Sequence, residues 1–258
     1  MVGCGKLNNI VADALLKNLL PGYDLVGVYS RTADKAVALA EKMTTNGHPC
    51  KVCSSIDELL ELRPDYLVEA ASPAAMRDLA LKTLQQGTSI LTLSIGALAD
   101  DAFYSELQET AAAHHAHVYV VSGATGGFDV LQTVTLMGNA KAVFHNKKGP
   151  DALKGTPVYD ETLQKEERTV FEGNATEAIA MFPTKVNVAV AASRASVGPK
   201  EMNVTIDSIP GFKGDTQYVE ICNDEVNAAI NVYSQTSAIA GWSVVSTLRN
   251  LNSPIVFC

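Results

Sequence analysis

The sequence has few aromatic residues, only 6% of the chain, with a single tryptophan. Surfaces that stack bases interleave aromatic with basic side chains, and no basic stripe accompanies the few rings present. Charge runs the other way: 20 Lys and Arg stand against 28 Asp and Glu, for a net charge of −8. That balance excludes nonspecific binding to nucleic acid. No apolar run reaches the ~18 residues that cross a bilayer. No basic segment followed by an apolar one marks a secretory signal. A cytoplasmic protein with neither a membrane nor a nucleic-acid partner is expected.

Cysteines are few and scattered. The five, Cys4, Cys50, Cys53, Cys222 and Cys258, are an odd set and a poor disulfide framework. Cys50-Lys51-Val52-Cys53 has zinc-like spacing, but no second Cys or His pair follows at metal-site distance. His114, His115 and His117 lie where a helix ends and a strand begins, where hydrogen bonding or charge at a helix C-terminus accounts for them. No metal site is expected.

What the chain does have is alternation. Its 258 residues, 47% hydrophobic, are enough for one large or two modest cores. Gly3-Cys4-Gly5-Lys6-Leu7-Asn8 precedes a helical apolar period over Asn9 to Leu20, which stops at Pro21-Gly22. A strand follows over Leu25 to Tyr29, ending in Ser30-Arg31-Thr32. Helices are predicted at 33–43 (Thr32 as N-cap), 55–62, 73–86 and 100–114, with strands at 65–70, 89–94 and 117–121. Short strands alternating with helices specify a doubly wound, parallel, helix-covered sheet.

After Gly123 the pattern changes. The segment Gly123-Ala124-Thr125-Gly126-Gly127 reads as a flexible turn, followed by a helix at 129–137 and strands at 140–146 and 167–172. Helices at 176–180 and 185–196 come next, then three strands that alternate like antiparallel ones, at 203–207, 217–222 and 225–233. A closing apolar helix over 237–251 carries Trp242 and is expected to pack back on the first domain. The reading is a Rossmann-type domain over 1–122 joined by 235–258, and a second α/β domain over 123–234.

Glycines before a helix let backbone approach a pyrophosphate, which the helix N-terminus then faces. Gly3, Gly5, Lys6 and Leu7 are therefore expected to hold a dinucleotide. The third glycine of G-x-G-x-x-G is replaced by Asn8, which is expected to weaken close helix–strand packing. Before Gly3 stand only Met1 and Val2, so either the start is trimmed or the first strand is unusually short. No Asp or Glu closes the second strand to take a ribose 2′-hydroxyl. Arg31, with the hydroxyls of Ser30 and Thr32, suits a 2′-phosphate, which favours NADP over NAD.

Six stretches resemble the L-aspartate dehydrogenase family in order and spacing: Glu69-Ala70-Ala71-Ser72, Leu93 to Asp100, Ser122 to Asp129, Glu172 to Ala175, Phe182 to Asn187, and Thr236-Ser237-Ala238. The resemblance implies a Rossmann domain and a second domain whose sheet forms a homodimer interface. It also implies interconversion of aspartate and iminoaspartate with NAD or NADP. By the same resemblance Ala71 and Ser72 line the path of the nicotinamide ribose, with Ser94, Gly96, Ala124 and Thr125 on neighbouring loops and Asn187 near the carboxamide.

Two departures bear on activity. The family's catalytic histidine corresponds to Gln217, and no histidine lies downstream of His145. Glutamine hydrogen-bonds but does not exchange protons near neutral pH. The family's Asn-x-Asn is Lys185-Val186-Asn187 here. A lysine desolvated in a cleft beside a helix N-terminus loses its proton more readily, so Lys185 is the expected acid–base group or carboxylate anchor, with Gln217 positioning substrate. Two alternatives stay open: a nucleotide-binding dimer that has lost dehydrogenase activity, and a reductase of another imine or oxo substrate.

Overall fold

A computed structural model describes residues 1–257. In chain order its first elements are α1 (Lys6–Leu16), β1 (Gly27–Val28), α2 (Ala33–Thr45), β2 (Lys51–Val52), α3 (Ile56–Leu60), β3 (Tyr66–Glu69), α4 (Pro73–Gln85), β4 (Ser89–Thr92), α5 (Asp101–Ala113) and β5 (Val118–Val120). The later ones are α6 (Phe128–Met137), β6 (Lys141–Lys148), β7 (Arg168–Asn174), α7 (Ala175–Met181), α8 (Asn187–Arg194), β8 (Asn203–Ser208), β9 (Asp215–Cys222), β10 (Asn227–Ser234) and α9 (Ala238–Leu251). They fall into two compact units. One is Met1–Ala97, Asp101–Gly123 and Ala238–Cys258; the other is Leu98–Asp100 with Ala124–Ser237.

The first unit is a parallel sheet stitched together by its shortest strand. Val2 bridges Tyr29 on one side and Glu69 on the other, both in parallel. Val2 N donates to Val68 O at 2.8 Å, and Gly3 N donates to Tyr29 O at 2.9 Å. With β1–β2 and β3–β4–β5 also parallel, the strands run β2, β1, Met1–Gly3, β3, β4, β5. Strand order reverses at the first strand, and the carboxyl edge there is where such sheets bind ligands. β4 is buried along its whole length, as a strand covered on both faces must be. The closing helix α9 returns to this unit. A Cβ on Gly241 would sit 2.9 Å from Ile10 Cδ1 and 3.0 Å from Leu7 O, so α9 meets α1 at a distance that only glycine allows.

The second unit is a five-stranded sheet in the order β10-β9-β6-β8-β7. The three strands read as antiparallel do alternate in direction, but β8 does not lie beside β9. β9 pairs antiparallel with β10 and β6, but β8 runs parallel to β6. Between β6 and β8 the chain passes through β7, α7 and α8, a connection long enough for a parallel crossover. Ala142 and Phe144 on β6, Val204 and Ile206 on β8, and Val219 and Ile221 on β9 share one buried face with residues of α7 and α8. Asn174 caps α7 through a reciprocal box with Glu177. Thr32, expected to cap α2, holds the N-cap position without a side-chain bond, whereas Ser55 caps α3 by accepting from Glu58 N. No helix of the described residues is long and apolar enough to cross a membrane.

Candidate functional site

In the first unit the turn before α1 forms the wall of a cleft of about 370 Å³, lined by Gly3, Gly5, Ser30, Arg31, Thr32, Lys35, Ala71 and Ser72, among others. Gly3 has φ +82°, and a Cβ there would come within 2.9 Å of Ala70 O and Ala71 Cα. Only glycine fits this backbone and this approach. At Gly5 a Cβ would meet nothing within 4 Å, which leaves open space at the N-cap of α1, where no side chain caps the helix. An uncapped N-terminus facing an open cleft is a ready anion site, so the residues present fit a dinucleotide pyrophosphate. Lys6 and Leu7 open α1; Lys6 is exposed, and Leu7 packs against the core.

Asn8 corrects the expected weakness. It is fully buried, and its Nδ2 donates to Val2 O at 2.9 Å and Gly3 O at 2.8 Å. The side chain therefore ties α1 to the turn instead of holding it off. Ser30 Oγ accepts from Thr32 N at 3.3 Å, shaping the strand end that carries Arg31. Lys35, one helical turn beyond Arg31, lines the same cleft. It adds a second cation that sequence reading missed, although the Arg-x-x-x-Lys spacing was there to find it.

Glu69 organises the neighbouring loops. Its carboxylate is inaccessible and accepts from Ala71 N (2.7 Å), Ser72 N (3.1 Å), Ser94 Oγ (2.9 Å) and Thr92 Oγ1 (2.8 Å). Burial pushes its carboxyl above the ordinary range, against those four donors. One buried acid thus fixes Ala71 and Ser72, and it orients Ser94, which lies beneath them, buried. Gly96 sits in the buried 3₁₀ turn Ile95–Ala99.

The second unit holds the remaining expected residues and a cluster that the sequence reading did not anticipate. Ala124 and Thr125 open its longer segment, and Thr125 Oγ1 is buried without a partner among the described residues. Asn187 is the first residue of α8. Lys185 stands ahead of that helix, not within it; it is exposed, and its ammonium donates to Ala152 O and Lys154 O. The desolvation expected of Lys185 is therefore not what the structure shows. Gln217 is buried on β9 opposite Asn146 of β6. Two residues along, Lys148 lies between Asp215 of β9 and Ser208 of β8. Strand alternation puts all five side chains on the face of Phe144. Lys148 is 3% exposed. Its Nζ stands 3.5 Å from Asp215 Oδ1 and 3.4 Å from Lys185 O. Among the described residues, no group of three or more His, Cys, Asp or Glu is placed to hold a metal ion.

Comparison with known proteins joins these halves. Residues 3–121 match the NAD-binding domain of homoserine dehydrogenase, and residues 129–251 match the C-terminal domain of aspartate dehydrogenase. The L-aspartate dehydrogenase of Methanocaldococcus jannaschii is 32% identical over 99% of this chain and 97% of its own length. The chain belongs to the aspartate dehydrogenase family. L-aspartate dehydrogenase 2 of Bordetella bronchiseptica is 31% identical over 96% of this chain and 94% of its own. The crystal structure of the Thermotoga maritima aspartate dehydrogenase aligns with a TM-score of 0.76 at 25% identity, covering 100% of this chain and 97% of the other. The protein is an NAD(P)-dependent oxidoreductase of the amino-acid dehydrogenase type, and it acts on a small molecule.

Proposed function

We propose that the protein is an NADP-preferring L-aspartate dehydrogenase that works as a cytosolic homodimer. The observation that carries the substrate assignment is full-length kinship with L-aspartate dehydrogenases over both halves of the chain. Cofactor preference rests on Arg31 and Lys35, with Ser30 and Thr32 beside them, in a cleft with no acid at the strand end. Gly3, Gly5 and the start of α1 would hold the pyrophosphate. Ala71 and Ser72, set by Glu69, would line the route to the nicotinamide, with Ser94 and Gly96 on the neighbouring loop. When bound, the nicotinamide supplies the hydride acceptor or donor. This chain's own task is to orient the amino or imino acid, and Gln217 is assigned to hold it by hydrogen bonds.

The outer face of the second sheet supports the dimer: Val143 on β6 and Tyr233 on β10 are exposed there, opposite the buried Phe144. Free thiols at Cys4, Cys50, Cys53 and Cys222 suit a reducing compartment. The test is to titrate NADPH and NADH by fluorescence, then to assay oxaloacetate plus ammonia beside other oxo acids. Tighter NADPH binding with highest turnover on oxaloacetate is the expected result. Turnover confined to a different oxo acid would refute the substrate assignment.

A further inference from the structure

We propose that Lys148 and Asp215 form the proton-handling pair of the substrate pocket, with Lys148 Nζ serving as the acid–base group for the amino nitrogen of an α-amino acid. The proposal rests on the dehydrogenase reading above and names the group that Gln217 does not replace. Its foundation is a set of unmet bonding demands in one block of strand register. Asn146, Ser208 and Lys148 are at most 3% exposed. Among the described residues Asn146 Oδ1 and Ser208 Oγ find no hydrogen-bond partner, Asp215 Oδ1 meets the Lys148 ammonium at the long distance of 3.5 Å, and that ammonium's other contact is Lys185 O at 3.4 Å. Buried polar groups in native proteins are nearly always satisfied. Two orphaned polar atoms beside a loosely held Lys148–Asp215 pair suit a ligand that brings donors and negative charge together. An α-amino acid does so: its amino group donates to Asp215 and Asn146, and its carboxylate accepts from Ser208 and Gln217.

Charges around the pair favour proton exchange at Nζ. Burial holds the Lys148 amine below the ordinary lysine range; Asp215 pulls it back up, and the Lys185 charge pushes it lower. Other titratable groups face away. His145 and Asp207 pair with each other at 2.6 Å, and strand alternation puts both, with Lys147, on the opposite face of the sheet. In the oxidative direction neutral Nζ takes a proton from the substrate ammonium. The substrate N–H bond breaks, a new N–H bond forms on Nζ, and the electron pair stays on the substrate nitrogen. In the reductive direction Nζ returns that proton to the amine.

Arginine at this position keeps the cation but does not give up its proton, so Lys148→Arg separates proton transfer from charge anchoring. Turnover of oxaloacetate plus ammonia by Lys148→Arg is expected to fall by about 10²–10⁴-fold with KM little changed, the fold being checked by circular dichroism and NADPH binding. Asp215→Asn is expected to move the limb on which aspartate oxidation rises with pH about one unit lower. A readout independent of turnover is NMR titration of the lysine side chains in the nucleotide-free protein. One resonance, absent from Lys148→Arg, is expected to titrate below the usual value of about 10.4. Wild-type turnover retained by Lys148→Arg, an unmoved limb in Asp215→Asn, or ordinary titration of every lysine overturns the pair alone. An inactive wild-type protein overturns the dehydrogenase reading and the pair's role with it.

Discussion

Replacing Lys148 with methionine is expected to stabilise the protein while removing its activity. An ammonium taken out of water costs several kcal/mol even after relaxation. Its one countercharge, Asp215, lies 3.5 Å away. At an effective dielectric of about 20 that separation is worth ~5 kcal/mol, and less where solvent reaches the pair. Solvent does reach it: the Asp215 side chain is 38% exposed against 4% for Lys148. The attraction is weakened at the end that water can solvate, while the penalty falls in full on the end that it cannot. Removing the lysine strands the carboxylate only in part, because Asp215 Oδ1 is buried while the side chain as a whole is 38% exposed. Methionine fills a similar volume. The expected gain at neutral pH is about 1–3 kcal/mol, which in a chain of this size raises the thermal midpoint by roughly 2–4 °C per kcal/mol.

The pH dependence follows from the lowered lysine pKa. A base whose folded pKa lies below its unfolded one adds stability above the unfolded value, and loses it as pH falls through the folded one. The advantage of Lys148→Met is therefore widest at neutral and acidic pH and closes as pH rises toward the ordinary lysine range. Urea denaturation at three pH values between neutrality and that range measures both effects. A variant less stable than wild type by more than about 1 kcal/mol at neutral pH would make the ion pair a structural brace and refute the reasoning.

Three further outcomes test the nucleotide cleft. Gly3→Ala forces an L side chain to φ +82° and drives its Cβ to 2.9 Å from backbone atoms of Ala70 and Ala71; a loss of about 2 kcal/mol or more in stability is expected, with nucleotide affinity down at least tenfold by fluorescence titration, and wild-type affinity would refute the turn's role. Arg31→Asp is expected to weaken NADPH about 10–100-fold while NADH binds as before or better, and equal loss for both nucleotides would assign Arg31 to the adenine instead. Glu69→Ala strands the amides of Ala71 and Ser72 at about 1–3 kcal/mol each, whereas Glu69→Gln keeps an acceptor for both. Because burial raises the Glu69 pKa, its contribution is full below the ordinary glutamate value and falls away as pH rises through the raised one. Glu69→Gln should accordingly gain on wild type between pH 4 and pH 7 in denaturant titrations, and a widening deficit over that interval would mean that the four donors outweigh burial.

How much of this was legible in the residues depends on whether the cause is local. The first unit's strands and helices follow from period and punctuation: Gly87 ends α4, Pro73 begins it, and short runs such as Ser89–Thr92, with Ile90 and Leu91 at their centre, are the buried parallel strands. Asn8 was misread because the third glycine is usually there for lack of a side chain. The structure meets the same need for close approach with two hydrogen bonds from one amide. The parallel pairing of β6 and β8 was also out of reach, since alternation gives the faces of a strand but not its neighbours.

The two lysines show this limit most clearly. Lys185 drew attention through its position in a family motif next to a helix start, yet its side chain reaches out to carbonyls of the 150s loop. Lys148 lies in the run Lys147-Lys148-Gly149-Pro150 and reads locally as half of a solvated pair. A signal was nonetheless present: counting by two from Ala142 and Phe144 leads to Asn146 and then Lys148 on the core side, a polar end to an apolar face. Register then supplies what counting does not, setting Asp215 and Ser208 on either side of that lysine. A strand that buries two apolar residues and then two polar ones gives up stability at its end. The acid–base role proposed for Lys148 accounts for that sacrifice, since it places a titratable amine where the reaction has a proton to move.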